Sequence, residues 1–178
     1  FRWNTLRYGL CFLLIALLLG SAEALPTLAD LDEKVAEAQR LAAQQSIESV
    51  AAAIKLFEEA DTGTLELVKA VEAEPPSAER EQGLQILSRY RMNCLSGLSN
   101  IYINRGDSEK ALAVLTELVT FVEKYDDPLS VGLTYKSLGD FYRIYSRPEE
   151  AWEYYQKALA ALPEEPQFEP FIRYARLG

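Results

Sequence analysis

Histidine is absent from the 178-residue sequence. The chain also has only two cysteines, one methionine and two tryptophans. Without histidine the chain lacks the commonest general base and the commonest metal ligand of proteins. The sequence also lacks a glycine-rich phosphate loop, a Cys-x-x-Cys pair and a nucleophile elbow. Adjacent acidic residues such as Glu58-Glu59 fall on expected solvent faces of helices, whereas two catalytic carboxylates must face each other across a cleft. We therefore expect a protein that is not an enzyme and that uses no cofactor or metal.

Basic residues are also in deficit, with 18 Lys and Arg against 27 Asp and Glu and a formal net charge of −9. Proteins that bind nucleic acid draw much of their affinity from Lys and Arg contacts with phosphates. The acidic balance therefore argues against a nucleic-acid partner. Cys94 falls on an apolar helical stretch, which favours a small buried side chain over a reactive thiol.

The segment 1–24 differs in composition from the remainder of the chain. Two arginines precede an apolar run from Tyr8 to Leu19, and small residues then lead to Ala24. A positive start, a short apolar run and an Ala-x-Ala end make up a secretory signal peptide. Because the run is shorter than the about 20 residues of a membrane-spanning helix, we favour cleavage after Ala24.

Two other interpretations of segment 1–24 stay open: an uncleaved signal-anchor helix in the membrane, and a buried helix of a cytosolic protein. The cleaved signal and the signal-anchor both place residues 25–178 across a membrane. The destination would then be a periplasm, a thylakoid lumen or the extracellular space. We treat residues 25–178 as one helical domain.

Two segments of the chain align without gaps at a spacing of 40 residues, and each contains two helical stretches joined by a short break. In the first break, Gly106 can end a helix in the left-handed conformation and Asp107 can cap the next helix. In the second, Ser146 and Glu149 are expected to form a capping box around Pro148. The aligned pairs are Leu98 with Leu138, Tyr102 with Tyr142, Ala111 with Ala151, and Leu115 with Tyr155.

These residues resemble the tetratricopeptide repeat, a pair of antiparallel helices with a Leu-Gly, Tyr, Ala, aromatic, Ala, Pro pattern. The matching residues of the second segment are Leu138, Gly139, Tyr142, Ala151, Tyr155, Ala158 and Pro163. The first segment matches less fully, with Ser99 at the glycine position and Leu118 at the second alanine position. The resemblance implies clear repeats at 92–125 and 132–165, a degenerate repeat upstream, and an all-α, right-handed superhelix of helix-turn-helix hairpins.

Upstream of the two repeats the pattern is helical but less regular, and no run alternates with the period of a strand. We predict a helix over 30–45 and a second helix capped by Ser46. A break is expected at 62–64, which reads Thr-Gly-Thr, and Ser77 should cap a long helix that ends near Asn104. One part matches the second helix of the repeat: Ala53, Phe57 and Ala60.

In the tetratricopeptide family the first helices of successive repeats line a concave groove that binds a protein or peptide. The resemblance implies that groove residues here are Asn93, Ser96, Asn100 and Asn104, and Leu133, Lys136, Asp140 and Arg143. Asparagine amides can donate to and accept from a peptide backbone. Asp140 replaces a basic residue of a carboxylate-binding variant of the family and would repel such a group. A second partner surface is predicted at Trp152 and Tyr154.

We expect a non-catalytic interaction module: a membrane-delivered scaffold or assembly factor that docks a protein. Two alternatives stay open. One is a permanent structural subunit of a membrane complex, anchored in the bilayer through an uncleaved segment 1–24. The other is the sensory repeat half of a longer enzyme or regulator.

Overall fold

The computed structural model describes residues 25–125 and 127–162, and within these ranges the chain forms six α-helices and no strand. The predicted all-α class is therefore confirmed. The helices are α1 (Leu28–Ala42), α2 (Ile47–Glu72), α3 (Ala78–Asn104), α4 (Ser108–Lys124), α5 (Pro128–Ile144) and α6 (Pro148–Ala161). The predicted leader at 1–24 and the segment beyond residue 162 lie outside the described residues.

Polar side chains start the first four helices, as helix N-termini with unpaired backbone N–H groups require. Ser46, Ser77 and Asp107 were predicted as caps. Each accepts a hydrogen bond from the backbone N–H three residues on, at 3.0, 3.1 and 3.3 Å. The first helix begins slightly earlier than predicted, because Thr27 and Asp30 form a capping box ahead of it.

The predicted break at 62–64 is wrong, because α2 continues through it without interruption. The hydroxyls of Thr62 and Thr64 donate to the carbonyls four residues earlier, at 2.9 and 2.8 Å, which a helix interior accommodates. Gly63 lies where α1 crosses α2. A Cβ atom at this position would be 2.9 Å from Leu31 Cδ2 and 3.1 Å from Pro26 Cγ, so glycine permits close packing here and does not end the helix.

The predicted capping box of Ser146 and Glu149 is also wrong. The N-cap of α6 is Arg147, whose side chain makes no capping hydrogen bond. Ser146 instead adopts a left-handed conformation, with φ of 57°, at the position where the other hairpin has Gly106, with φ of 76°. A residue in this conformation ends the preceding helix and so cannot act as an N-cap in extended conformation.

The two hairpin turns have the same backbone hydrogen bonds at the predicted 40-residue spacing. Asp107 N–H donates to Tyr102 O at 2.9 Å, and Arg147 N–H donates to Tyr142 O at 2.9 Å. The bonds from Gly106 N–H and Ser146 N–H, to the carbonyls three residues earlier, also correspond. Each of these helices thus ends in a turn of the type that a left-handed residue closes.

Each helix packs on the next one along the chain. In addition, α1 contacts α3, and α3 contacts α5. The second helix of each hairpin buries three residues spaced i, i+4 and i+7, one face of an α-helix. These buried triads are Ala53, Phe57 and Ala60; Ala111, Leu115 and Leu118; and Ala151, Tyr155 and Ala158. In the last hairpin the Tyr155 ring lies against Gly139, where a Cβ atom would be 2.5 Å from Cε1. Among the described helices, none combines the length and the apolar character needed to cross a bilayer.

Candidate functional site

An open groove of about 740 Å³ lies between α3, the end of α1 and the first half of α2. This volume falls in the usual range of ligand sites in proteins. All four predicted α3 residues line it: Asn93, Ser96, Asn100 and Asn104. Opposite them are residues that the sequence did not assign to a site: Gln39, Ala42, Gln45 and Val50. The structure therefore brings the α3 half of the predicted surface together and adds α1 and α2 to it.

The floor of the groove is apolar and tightly packed. Phe57 is 1% exposed, and its ring lies against Gly97 of α3. Val50 and Ile101 extend this apolar strip. The exposed amides of the three asparagines stand above it on one face of α3, because residues three, four and seven apart share a helix face. An apolar floor with a few convergent polar groups is typical of a binding site.

The α5 residues of the predicted surface bond within their own hairpin. Asp140 accepts from Lys136 Nζ at 2.7 Å and from the Tyr155 hydroxyl at 2.8 Å. Arg143 Nε donates to the same hydroxyl at 3.3 Å. Burial, together with the hydrogen bond to Asp140, raises the pKa of Tyr155 to about 12, so its hydroxyl stays a donor at neutral pH. The charge of Asp140 is thus offset by Lys136, and the network fastens α5 to α6.

Leu133, the remaining α5 residue of the prediction, is half-buried. The role of the α5 residues as a docking surface stays a prediction. Their contacts show that substitutions at Lys136 or Arg143 also alter the α5–α6 interface. Groove substitutions on α3 are therefore the cleaner test of docking.

The two residues of the predicted second surface have different surroundings. Trp152 is 53% exposed. Tyr154 stacks on Tyr142, with ring centroids 5.3 Å apart and planes 11° apart, and lies 6.1 Å from the ring of Tyr135. Lys157 Nζ sits 4.8 Å from the Tyr154 ring centroid, within the range of a cation–π contact. Tyr154 is thus part of an aromatic cluster between α5 and α6, whereas the side chain of Trp152 is exposed to solvent.

A second, more open depression of about 400 Å³ lies where Pro26 meets the outer side of α2. Three of its charged groups pair with each other, with Lys34 Nζ 2.6 Å from Glu59 Oε2 and Lys55 Nζ 3.8 Å from Glu59 Oε1. Solvent-exposed ion pairs of this kind contribute little energy. We assign no binding role to this depression.

A buried charge network that the sequence did not reveal joins α2, α3 and α4. Arg91 has a side chain only 5% exposed and makes two bonds to Asp61, at 2.9 and 3.4 Å. It also bonds Glu117, and its guanidinium lies 4.4 Å from the centroid of the Phe121 ring. The pKa of Asp61 is raised, chiefly by burial and in part by the nearby Glu117 carboxylate, although the contacts with Arg91 act to lower it. No sequence motif marks this set, because Asp61 and Glu117 lie 30 and 26 residues from Arg91 along the chain.

Cys94 is fully buried, as predicted. Burial, with a smaller effect from the Asp61 carboxylate, raises its pKa to about 12. The thiol therefore stays protonated at neutral pH, and the thiolate is the reactive form. Within residues 25–125 and 127–162 there is no group of three or more potential ligands placed to hold a metal ion.

No protein-family model matches the chain, and none of the curated proteins compared with it is significantly similar in sequence. Inferences about function therefore depend on the groove and on the helices that form it.

Proposed function

We propose that this protein is a non-catalytic interaction module whose stacked helical hairpins offer the α1–α2–α3 groove to a segment of another protein. One observation carries the proposal: Asn93, Ser96, Asn100 and Asn104 line one groove over an apolar floor. Four polar residues with no role in the core, lined up beside a cavity of ligand size, are placed for recognition. The three asparagines are exposed and Ser96 is half-buried, so the amides in particular are available to another chain.

We also propose that the hairpins are tetratricopeptide-like and stack as a right-handed superhelix. Three observations support this: the shared hydrogen bonds of the turns at Gly106 and Ser146, the three buried triads, and the contacts of α1 with α3 and of α3 with α5. A repeat stack leaves its concave side open because each repeat buries its apolar surface against its neighbours. The groove would then be one stretch of that concave side.

The test is affinity capture with the full-length protein from gently solubilised membranes, read by mass spectrometry. The informative variant is Asn100→Ala/Asn104→Ala, since both side chains are exposed and their removal should leave the fold intact. Gln156→Ala, an exposed polar change on α6 outside the groove, is the matched control. We expect a stoichiometric partner with the native protein and the control, and its loss with the double variant. A partner held equally by all three proteins would show that the groove is not the docking face.

Delivery across a membrane is a further part of the proposal, based on the composition of segment 1–24. Leu25 and Pro26 already contact the helical body, and Thr27 caps α1. A chain cut after Ala24 would therefore keep the cap of its first helix. Amino-terminal sequencing of the native protein tests this. A start at Leu25 indicates an exported module, and an intact leader indicates an anchored subunit.

A further inference from the structure

The groove on α3 carries little charge, although the protein as a whole has a net charge of −9. Of the described residues that line it, only Arg105, directly after α3, is charged. The nearby Asp107 is paired with Lys110, at 3.1 Å, and its carboxylate also interacts electrostatically with Arg105. A charged side chain placed over the Phe57 floor would lose hydration and gain no partner there. An occupant is thus expected to be uncharged along the floor and acidic at the Arg105 end.

Three polar groups on the groove wall are evenly spaced. Ser96, Asn100 and Asn104 follow one another at intervals of four residues, which is about 6 Å along a helix at 1.5 Å per residue. An extended peptide repeats its backbone groups on one side every two residues, or about 6.6 Å. Asparagine can donate to a backbone carbonyl and accept from a backbone N–H. The wall therefore matches a peptide that runs along α3 in extended conformation.

The groove also limits the length and side chains of its occupant. From Asn93 to Arg105 the α3 wall is about 18 Å long, which about five extended residues span. Every second side chain of such a peptide would face the strip formed by Val50, Phe57 and Gly97. The contacts with this strip favour apolar side chains.

We propose that the groove binds an extended segment of a partner protein, about five residues long, with no charged side chain over the Phe57–Gly97 floor and an acidic residue beside Arg105. This rests on the proposed function and adds the chemistry of the partner to it. Hydrogen bonds from Ser96, Asn100 and Asn104 to the peptide backbone give affinity. The apolar floor and Arg105 select the sequence.

The test is selection of a random peptide library displayed on phage against the immobilised full chain, followed by titration of the enriched peptides as synthetic, end-capped molecules. We expect an uncharged core of about five residues with an acidic residue on one side. Asn100→Ala/Asn104→Ala should weaken binding about tenfold or more, since two hydrogen-bonding side chains are lost. Methylation of the backbone nitrogens in the uncharged core of the peptide should weaken binding at least as much. The Gln156→Ala control should bind like the native chain.

Arg105→Gln provides a separate check on the charge argument. It should remove the preference for an acidic flanking residue and leave the uncharged core unchanged. Enriched peptides that are basic, helical in pattern or indifferent to Asn100 and Asn104 would overturn the inference. Enrichment of peptides resembling residues 163–178 would also overturn it, because the occupant would then be the chain's own segment.

Failure of this inference can be told apart from failure of the interaction module itself. If no peptide is enriched while capture of a protein partner still depends on Asn100 and Asn104, the peptide chemistry is wrong and the module stands. If no peptide is enriched and capture is also independent of the groove, both are wrong.

Discussion

The ring of Phe57 in α2 occupies the space beside Gly97 of α3 that a larger residue would fill. A Cβ atom on Gly97 would lie 2.4 Å from Phe57 Cζ and under 3 Å from two further ring atoms. Real Cβ atoms do not approach other atoms so closely, so either the ring or the helix would have to move. Phe57 is 1% exposed, so neighbouring residues pack against nearly all of its ring. This contact sets the distance between α2 and α3 and forms the floor of the groove.

Gly97→Ala is therefore expected to destabilise the fold by up to about 2 kcal/mol. Overpacking of a core contact costs about 1–3 kcal/mol, and the better helix propensity of alanine offsets about 1 kcal/mol of it. Urea unfolding followed by circular dichroism measures the change.

Gly83→Ala on the same helix is the matched control. A Cβ atom there would lie 3.6 Å from Val71 Cγ1, an ordinary contact distance. The free energy of unfolding of this variant should rise by about 0.5–1 kcal/mol, since only the better helix propensity of alanine remains. Equal effects of the two substitutions would show that the Phe57 contact does not limit the approach of α2 to α3.

Substitutions at Gly106 and Ser146, the equivalent residues of the two hairpin turns, should change the free energy of unfolding in opposite directions. Gly106→Ala should lose about 1 kcal/mol, because its φ of 76° is unfavourable for a residue with a Cβ atom. No atom lies within 4 Å of that Cβ position, so the loss would come from the backbone alone. Ser146→Gly should gain a similar amount, since Ser146 already adopts a left-handed φ of 57°. The free energies of unfolding in urea check both, and a loss at Ser146→Gly would contradict the equivalence of the turns.

The part of the fold that the sequence predicts is the part fixed by local chemistry. Ser46, Ser77 and Asp107 act within three residues of their own position, so their capping could be predicted from neighbouring residues alone. The predicted break at Gly63 is wrong because the close contact of this residue is with Leu31, which lies on another helix. A Thr-Gly-Thr sequence resembles a loop in every local respect, and only the crossing of two helices explains why the helix continues.

The same distinction applies to the groove. The α3 residues share a helix face, so their alignment follows from helical spacing. Gln39 and Val50 join them through the packing of α1 and α2 on α3, which no local pattern specifies. Asp140 was predicted to repel an anion. Its neutralisation by Lys136 could have been predicted, since the two residues are four positions apart on a helix.

The buried Arg91–Asp61 pair predicts an asymmetric response to removal of its partners. Arg91→Met should cost about 3–5 kcal/mol, because it leaves the Asp61 carboxylate buried without a cation. Asp61→Asn should cost about 1–2 kcal/mol, since Arg91 keeps Glu117 and the Phe121 ring. The double variant Arg91→Met/Asp61→Leu should be more stable than Arg91→Met alone, because no buried charge is left unpaired.

The pH dependence of the stability of the Arg91→Met variant is a second test of the Arg91–Asp61 pair. Burial raises the pKa of Asp61, and loss of Arg91 removes the main attraction that lowers it. A carboxyl group whose folded-state pKa is raised destabilises the fold as the pH rises and it ionises. The free energy of unfolding of the variant should therefore lie closer to that of the native chain at pH 4 than at pH 7. A difference that is constant over this range would show that the Asp61 charge is not its source.

Ionisation of Asp127 stabilises the fold, in contrast to ionisation of Asp61 in the Arg91→Met variant. Asp127 sits at the start of α5 and accepts from Arg89 Nε at 3.0 Å, Arg89 Nη2 at 3.2 Å and Ser130 Oγ at 2.7 Å. Burial raises the pKa of Asp127, but the hydrogen bonds from Arg89 and Ser130, together with the charge of Arg89, outweigh it and hold the pKa below its ordinary value of 3.8. A group with a depressed folded-state pKa stabilises the fold above its unfolded pKa, and this contribution is lost as the pH falls through the folded value.

Asp127→Asn should therefore lose about 1–2 kcal/mol at pH 7, a figure that allows for the half-exposed Arg89 side chain. The difference from the native chain should narrow at pH 3 and below, as the native carboxylate becomes protonated. Ser130→Ala is the graded control: it removes one of the three bonds, so it should show a smaller loss with the same pH dependence. Urea unfolding at pH 7 and pH 3 measures all three proteins. An equal loss for Asp127→Asn at both pH values would mean that the shape of the side chain, and not its charge, joins α3 to α5.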